Sequence, residues 1–339
     1  MATRGYQSYR GRNHGKLALV IVLVLILLAA VGYLVAQEYM VYDDEGHRHL
    51  ELPFLKKGQT EQPQQPEDTT PDDVNLIIDE PERPLLKELH ARQLPDTVLT
   101  EDPSAVLAEH PEAVIPVKLR DGTVTYDTQT AARDTVTTGG PETLTSLKTL
   151  LSGDTWTVAR IACFADMDFA NAKPDEAGLL RTGDGWLWYD DDAACWLDPG
   201  KAAAREYLVQ LCKECAELGF DEILLDYCTY PVHGRLDRID YGSVTNLTDT
   251  LSVFVEGVRE ALPKTTALSV LVRDQVTTDA NDGGVTLALL TEHFDRIYVD
   301  TDTVDAAALQ KLLPADFDPV TRLVQVAAEA ASSGSYVTR

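Results

Sequence analysis

Carboxylates and a lysine stand at the ends of apolar, strand-like runs, where they could do acid–base chemistry. Asp226 lies near the end of the run DEILLDY, and Asp300 is the last residue of RIYVD. Asp166 lies two residues after VARIACF, and Lys118 lies near the end of EAVIPVKL. Carboxylates crowded near a cation can have split pKa values, so that one donates a proton while another stays ionised. We expect Asp226 to act as nucleophile or acid/base, Asp300 or Asp166 to be its partner, and Lys118 to orient the substrate. The alternative is that most of these acids cap loops and face solvent.

The alternation of side chains along a strand separates interior from exterior positions. Glu222 and Asp226 fall on the same, interior face, but four residues place them about 13 Å apart at about 3.3 Å per residue. Carboxyl pairs that cleave glycosidic bonds are separated by about 5–9.5 Å, so these two cannot form such a pair. Arg160 also falls inside. Because a buried arginine needs a partner, we expect a structural Arg160–Glu222 ion pair.

An aromatic cluster follows the third strand-like run. Trp186, Trp188, Tyr189 and Trp196 lie within eleven residues and include three of the four tryptophans of the chain. Exposed flat rings suit the apolar faces of sugars, whereas buried rings would form the small core of the loop itself. Both interpretations stay open at this point.

Strands and helices alternate over residues 85–339, which predicts a parallel (β/α)8 barrel, a TIM-like fold of about 250 residues. Six runs are typical of strands: 112–119, 155–164, 221–227, 267–272, 296–300 and 322–326. Weaker runs at 89–94 and 335–338 would complete the eight. Helices are expected at 202–218, which Gly219 would end, and at 247–262. The segment between the last two strands is too short for a helical crossover, which predicts an irregular closure.

The N-terminal region predicts a membrane anchor. Residues 1–16 carry four basic residues and no acid, and the next twenty, Leu17–Ala36, carry no charge. Twenty helical residues span about 30 Å, the thickness of the hydrocarbon core. A cleaved signal peptide is the rival interpretation, but its apolar core is shorter, about 7–15 residues. We expect a single-pass anchor at 17–37 in a lipid bilayer, with a cytoplasmic tail and everything after Gln37 exported. Residues 38–84, rich in Pro and acids, would be a juxtamembrane segment and spacer.

The net charge excludes one class of partner. The chain has 29 Lys and Arg against 55 Asp and Glu, a formal charge of −26. Phosphate binding needs clustered basic residues, so we expect no nucleic-acid partner.

The cysteines and histidines predict no cofactor or metal site. All five cysteines lie between 163 and 228, and Cys212 and Cys215 form a CxxC inside a predicted helix. A redox motif of this kind belongs at the start of a helix after a strand, so small buried residues are the better interpretation. His47 and His49 lie near the membrane in a linker-like piece that offers no carboxylate geometry around a metal, so no metal site is expected there. G-x-S-x-G, P-loop and GxGxxG motifs are absent from any convincing context.

Three segments carry a resemblance to a known family. VARIACFAD (158–166), WLDP (196–199) and LGFDEILLDYCTYP (218–231) resemble a bacterial glycoside-hydrolase-like domain of uncharacterised activity, and VKLRDGTVTYD (117–127) is similar to its second strand. The resemblance implies a TIM barrel on an exported protein. The matching positions are Lys118, Asp121, Gly122, Arg160, Phe164, Asp166, Trp196, Asp198, Pro199, Gly219, Phe220, Asp221, Glu222, Asp226, Tyr227 and Pro231.

The chain departs from the family pattern near the expected site. Thr229 stands where the family has an arginine, Leu271 where it has an inward aspartate, and VDTDTVD where it has a Ser-Pro-Met-like run. Two hypotheses follow. The barrel binds and cleaves an envelope or extracellular glycan, a polysaccharide, through an oxocarbenium-like transition state. Alternatively, it is a non-catalytic module that binds glycan or protein at the cell surface. In either case Arg160, Asp198, Tyr227 and the loop tryptophans would contact the ligand.

Overall fold

The computed structural model describes residues 84–101, 112–276 and 281–339, together with two short strands, Met40–Tyr42 and Arg48–Leu50. The chain divides into two compact units, Met1–Leu76 and Ile77–Arg339. In the first unit the two short strands pair antiparallel. The predicted anchor at 17–37 lies outside the described residues. Among the residues that are described, no helix has the length and apolar character needed to cross a membrane.

The second unit contains a closed barrel of eight parallel strands, which confirms the predicted fold class. In chain order they are β1 (His90–Gln93), β2 (Glu112–Lys118), β3 (Trp156–Ala162), β4 (Glu222–Asp226), β5 (Ala267–Val272), β6 (Arg296–Asp300), β7 (Leu323–Ala327) and β8 (Ser335–Thr338). Each strand pairs with the next, and β8 pairs with β1 to close the ring. Because all strands are parallel, their carboxyl ends meet at one mouth.

Helices cover the outside of the barrel. They are α1 (Pro141–Leu151), α2 (Met167–Ala172), α3 (Ala202–Leu218), α4 (Leu247–Ala261), α5 (Leu287–His293), α6 (Ala306–Leu312) and α7 (Pro319–Arg322). The connection from β7 to β8 contains no helix, so the closure is irregular as the sequence predicts. A short antiparallel pair, Leu180–Arg181 with Ile239–Asp240, lies in the loops after β3 and β4.

Helix α3 shows how local sequence sets these elements. It buries Ala204, Leu208, Leu211 and Cys215, which recur at the helical period on one face against the strands. The helix ends at Gly219, whose φ of 109° lies in the left-handed region that favours glycine. Its two cysteines are buried and free, and none of the five cysteines forms a disulfide.

Apolar side chains and one buried ion pair fill the base of the barrel. Glu222 Oε2 lies 2.6 Å from Arg296 NH1, and both side chains are fully buried. Ser269, Tyr298 and Trp156 also donate to the Glu222 carboxylate, which is therefore satisfied without Arg160.

The expected Arg160–Glu222 pair is wrong. Arg160 lies opposite Leu224, two residues from Glu222 and two from Asp226. Because Arg296 already neutralises Glu222, the guanidinium of Arg160 extends the other way, toward the mouth, and binds Asp226. Glu222 nonetheless has the interior position that the alternation of β4 predicts.

Breaking the ion pair at the barrel base should lower the urea concentration at which the protein unfolds. Arg296→Met leaves Glu222 as an uncompensated buried charge, so we expect the free energy of unfolding to fall by about 3–5 kcal/mol. Urea titration of the full chain measures it. Lys213→Gln, which removes an exposed pair with Glu217, is the control and should cost less than about 1 kcal/mol. Equal losses in the two variants would contradict the assignment.

Candidate functional site

Asp226 lies at the centre of the mouth, at the end of β4, and its side chain is fully buried. Its Oδ2 accepts from Arg160 Nε and NH2 at 2.9 and 2.7 Å. Arg273, the residue after β5, donates from Nε to Oδ1 at 2.7 Å and from NH2 to Oδ2 at 3.0 Å. The backbone N–H of Tyr227 completes the set at 2.9 Å. Both carboxylate oxygens are therefore bound by protein donors.

The two guanidinium groups decide the charge of Asp226. Burial by itself would raise the pKa of this carboxyl, but the positive charges and hydrogen bonds of Arg160 and Arg273 outweigh it and hold the pKa below its usual range. A general acid needs the opposite shift, toward the operating pH. Asp226 is thus a fixed anion and a poor proton donor at neutral pH.

Arg273 links Asp226 to the second predicted carboxylate. Its NH1 donates to Asp300 Oδ2 at 2.8 Å, while Arg339 binds Asp300 from the other side and also binds Asp302. Asp226 and Asp300 thus lie one guanidinium group apart. That group occupies the space between them that a glycosidic bond or a water would need.

Lys118 and Asp166 are placed in the barrel wall. Lys118 Nζ lies 2.9 Å from Asp166 Oδ2, and neither side chain is exposed. Lys118 also donates to the Ala162 carbonyl at 2.6 Å, and Asp166 accepts from the Phe169 N–H at 2.8 Å as the cap of α2. Burial raises the pKa of Asp166 against the opposing effect of Lys118. This geometry does not support the expected contacts of the pair with substrate.

Of the four aromatic rings in the loop after β3, two are buried, as the loop-core interpretation predicts, and two are exposed, as the sugar-binding interpretation predicts. Trp188 and Trp196 are buried, and their indole N–H groups donate to the Arg235 carbonyl and to Asp190 Oδ2, both at 3.0 Å. Trp186 and Tyr189 are 69% and 53% exposed. Trp188 and Trp196 therefore pack within the loop, although Trp196 also lines the mouth pocket, while Trp186 and Tyr189 are open to solvent.

Asp198 serves the turn before α3. It is buried and accepts from the Gly200 N–H at 2.8 Å, and burial raises its pKa. The residue does not line the pocket at the mouth, so the expected ligand contact is not supported.

The mouth pocket has a volume of about 640 Å³ and is lined in part by Tyr227 and Arg273, both of which donate to Asp226. Its lining includes Arg120, Tyr227, His233, Arg273 and Asp274. Thr229 and Leu271, where the sequence departs from the family pattern, also line it. The departures therefore fall on the surface that a ligand would meet.

Two arginines contact the ring of Tyr227. The guanidinium carbons of Arg273 and Arg120 lie 4.8 and 5.5 Å from the centre of its ring, and its φ of 50° is left-handed. Arg120 is itself held by Asp190 at 2.5 Å and Asp192 at 2.8 Å. Such cation–ring contacts stabilise the position of the Tyr227 ring in the pocket lining.

Sequence reasoning missed the arginines that organise the mouth. Arg273 and Arg339 each follow an interior residue, Leu271 and Val337, by two positions. Extending the alternation past the strand ends could have found them. Arg120 lies in a loop, where no periodicity applies. Among the described residues, no group of three or more His, Cys, Asp or Glu side chains could hold a metal ion.

Removing the charge of Asp226 should change how stability depends on pH. A lowered pKa adds stability above the unfolded value of about 3.9, and this stability is lost as pH falls through the folded pKa. We expect Asp226→Asn to be about 3–5 kcal/mol less stable at pH 7, with the difference from wild type shrinking below about pH 4. Urea unfolding between pH 7 and 3 tests this. Asp316→Asn, at an exposed site, should show no such trend, and a difference constant over this range would refute the assignment.

Several solved structures are similar to this chain. A hypothetical protein from Ruminiclostridium thermocellum is 25% identical, with a TM-score of 0.46, over 53% of this chain and 96% of its own. Ega3 of Aspergillus fumigatus, in complex with galactosamine, is 11% identical, with a TM-score of 0.41, over 72% and 78%. A chitinase from Rhizomucor miehei is 13% identical, with a TM-score of 0.39, over 71% and 68%. No curated protein matches the sequence.

One family matches more than half of the chain. Residues 109–299, which run from just before β2 almost to the end of β6 and include Asp226, match the family described as "Putative glycosyl hydrolase domain". The match covers the mouth residues from Arg120 to Asp274. The chain belongs to this family of glycosyl hydrolase-like barrels.

Proposed function

We propose that the barrel binds a carbohydrate at its mouth and does not cleave it through Asp226. The observation that carries this proposal is the state of Asp226, whose two oxygens accept from Arg160, Arg273 and the Tyr227 N–H. A nucleophile needs a free lone pair directed at the sugar, and an acid needs a proton. Because the arginines occupy both oxygens and hold the carboxyl ionised, Asp226 has neither a free lone pair nor a proton to give. Membership of the family favours a sugar as the ligand.

The mouth pocket has the features of a saccharide site. Its volume of about 640 Å³ lies within the range of small-molecule sites, about 300–1,000 Å³. At the rim, His233 Nε2 lies 3.0 Å from Asp274 Oδ1, with the histidine side chain 76% exposed. These groups offer donors and acceptors to sugar hydroxyls, and Tyr227 and Leu271 give apolar surface.

Hydrolysis is the second candidate, favoured by one observation. Arg273 bridges Asp226 and Asp300, so the two carboxyl groups lie on either side of one guanidinium. If substrate displaced Arg273, two carboxyl groups would face the same site, and glycosidases use such a pair at about 5–9.5 Å. This candidate requires Arg273 to move, whereas binding uses the pocket as it stands.

The location of the barrel is part of the proposal. The uncharged stretch 17–36 after a basic tail supports a single-pass membrane anchor, with the barrel outside the cell on a Pro- and acid-rich spacer. The ligand would then be a polysaccharide of the envelope or its surroundings.

Glycan binding is tested with the full chain in a detergent that has no sugar headgroup. We expect it to bind some of a panel of neutral bacterial and plant oligosaccharides and to release no new reducing ends from them. His233→Ala and Asp274→Asn should each weaken the tightest interaction about five- to tenfold, because each removes a charged or polar partner of a hydroxyl. Isothermal titration measures the affinities.

A matched control and a contrary result are available for this experiment. Lys148→Gln, on the exposed face of α1, should bind as the wild type does. Reducing ends that appear with the wild type and vanish with an Asp226→Asn variant that circular dichroism shows to be folded would establish hydrolysis and overturn the binding proposal. Binding unaffected by both rim variants would refute the site.

The anchor is tested by fractionation of cells that produce the full chain. We expect the protein to sediment with membranes, to stay there in high salt, and to dissolve in detergent, because about twenty apolar residues bind hydrocarbon far more strongly than salt-sensitive contacts do. A protease added to intact cells should release a fragment that begins within residues 57–84. A chain starting at residue 38 should be soluble, and wild-type protein in the soluble fraction would contradict the anchor.

A further inference from the structure

A second pocket lies beside the mouth pocket and shares Asp190 and Asp191 with it. Its volume is about 430 Å³, and we call it the outer pocket. The side chains that matter to the argument are Arg181, Tyr189, Arg235 and Arg238. None of the residues that bind Asp226 lines the outer pocket.

An exposed aromatic ring lies on the wall of the outer pocket. Tyr189 is 53% exposed although it is flanked by buried Trp188, and the guanidinium of Arg181 lies 5.8 Å from the centre of its ring. Covering this ring with a ligand would remove apolar area from water, which favours binding. A pyranose ring presents a flat C–H face that packs on such a side chain.

Charged side chains of both signs line the outer pocket. Three are arginines and three are aspartates, Asp184, Asp190 and Asp191, and Asp184 pairs with Arg181 at 3.0 Å. Arg238 has only a loose pair with its neighbour Asp237, at 3.7 Å. Within the part of the chain that the structure describes, the side chain of Arg235 has no ion pair or hydrogen bond, and it is exposed. A free guanidinium is well suited to a carboxylate, which it can bind through two hydrogen bonds.

The outer pocket is preformed. Leu180 pairs with Leu187 across the hairpin and with Asp240 of the neighbouring short strand. The Trp188 indole donates to the Arg235 carbonyl at 3.0 Å, which fixes the backbone that carries the free guanidinium. Binding there would require little ordering of the chain, which favours affinity.

We propose that the outer pocket binds a carboxylate-bearing sugar, a uronic acid unit, of a glycan that continues into the mouth pocket. The Arg235 guanidinium receives the carboxylate and the Tyr189 ring packs on the sugar face, while Arg181 and Arg238 are already paired with Asp184 and Asp237. Asp190 and Asp191 form the wall that both pockets share, so one chain of sugars can cross it. This inference rests on the proposed glycan binding at the mouth and adds the acidic character of one unit.

The probes are hexamers of galacturonic, glucuronic and mannuronic acid, each compared with its neutral methyl ester by titration into the full chain. We expect at least one acid to bind about tenfold more tightly than its ester, and Arg235→Gln to remove that advantage. Tyr189→Ala should weaken both forms about fivefold, while Tyr189→Phe keeps the ring and the affinity. Lys148→Gln removes one remote charge as the control.

The outcomes separate this inference from the proposed function. If esters bind as tightly as acids and Arg235→Gln has no effect, the outer pocket is not an acidic-sugar site, whatever the rim variants at the mouth do. If Arg235→Gln and Tyr189→Ala weaken binding while His233→Ala and Asp274→Asn do not, the outer pocket stands and the mouth proposal fails. Binding of none of the three acids overturns the inference.

Discussion

Charge buried inside the barrel has to be neutralised, and the structure of the mouth follows from how this is done. Strand β4 directs two carboxylates, Glu222 and Asp226, into an interior with little water. An unpaired buried charge costs several kcal/mol, so each carboxylate must have a cation within contact distance. Arg296 serves Glu222 at the base, and Arg160 and Arg273 serve Asp226 at the mouth. The barrel therefore contains two stacked ionic layers separated by Leu224.

The same neutralisation limits the chemistry of the mouth. Two arginines on one carboxylate stabilise its ionised form and occupy its oxygens, which suits a structural anion better than a proton donor. Arg273 then reaches Asp300, so the second candidate carboxylate is joined to the same network. The polar groups with free capacity lie further out, at His233 and Asp274 on the rim. Binding at the rim and a rigid floor below it are thus consequences of one electrostatic constraint.

The sequence predicted the fold better than the site because periodicity carries across elements and not into loops. Short apolar runs located six strands and gave weaker signals for β1 and β8, and α3 has the predicted bounds because Gly219 ends it. The alternation also placed Asp226 and Arg160 in the interior. It could not choose the partner of Arg160, since Glu222 and Asp226 are equally distant in register and the choice depends on Arg296, 136 residues further along the chain. Whether each loop tryptophan is buried or exposed depends on contacts between distant segments, such as the hydrogen bond from Trp188 to the Arg235 carbonyl.

Asp190 connects the floor of the mouth pocket to the outer pocket. It accepts from the Trp196 indole, the Ala194 N–H and Arg120, and although burial opposes ionisation these contacts hold its pKa below the usual range. Arg120 in turn contacts the ring of Tyr227. An ionised Asp190 therefore fixes both the loop that bears Tyr189 and the arginine above Tyr227. Two pockets that share a rigid wall keep a constant separation, and a constant separation favours ligands with a regular repeat, such as a polysaccharide, over compact molecules that fill one pocket.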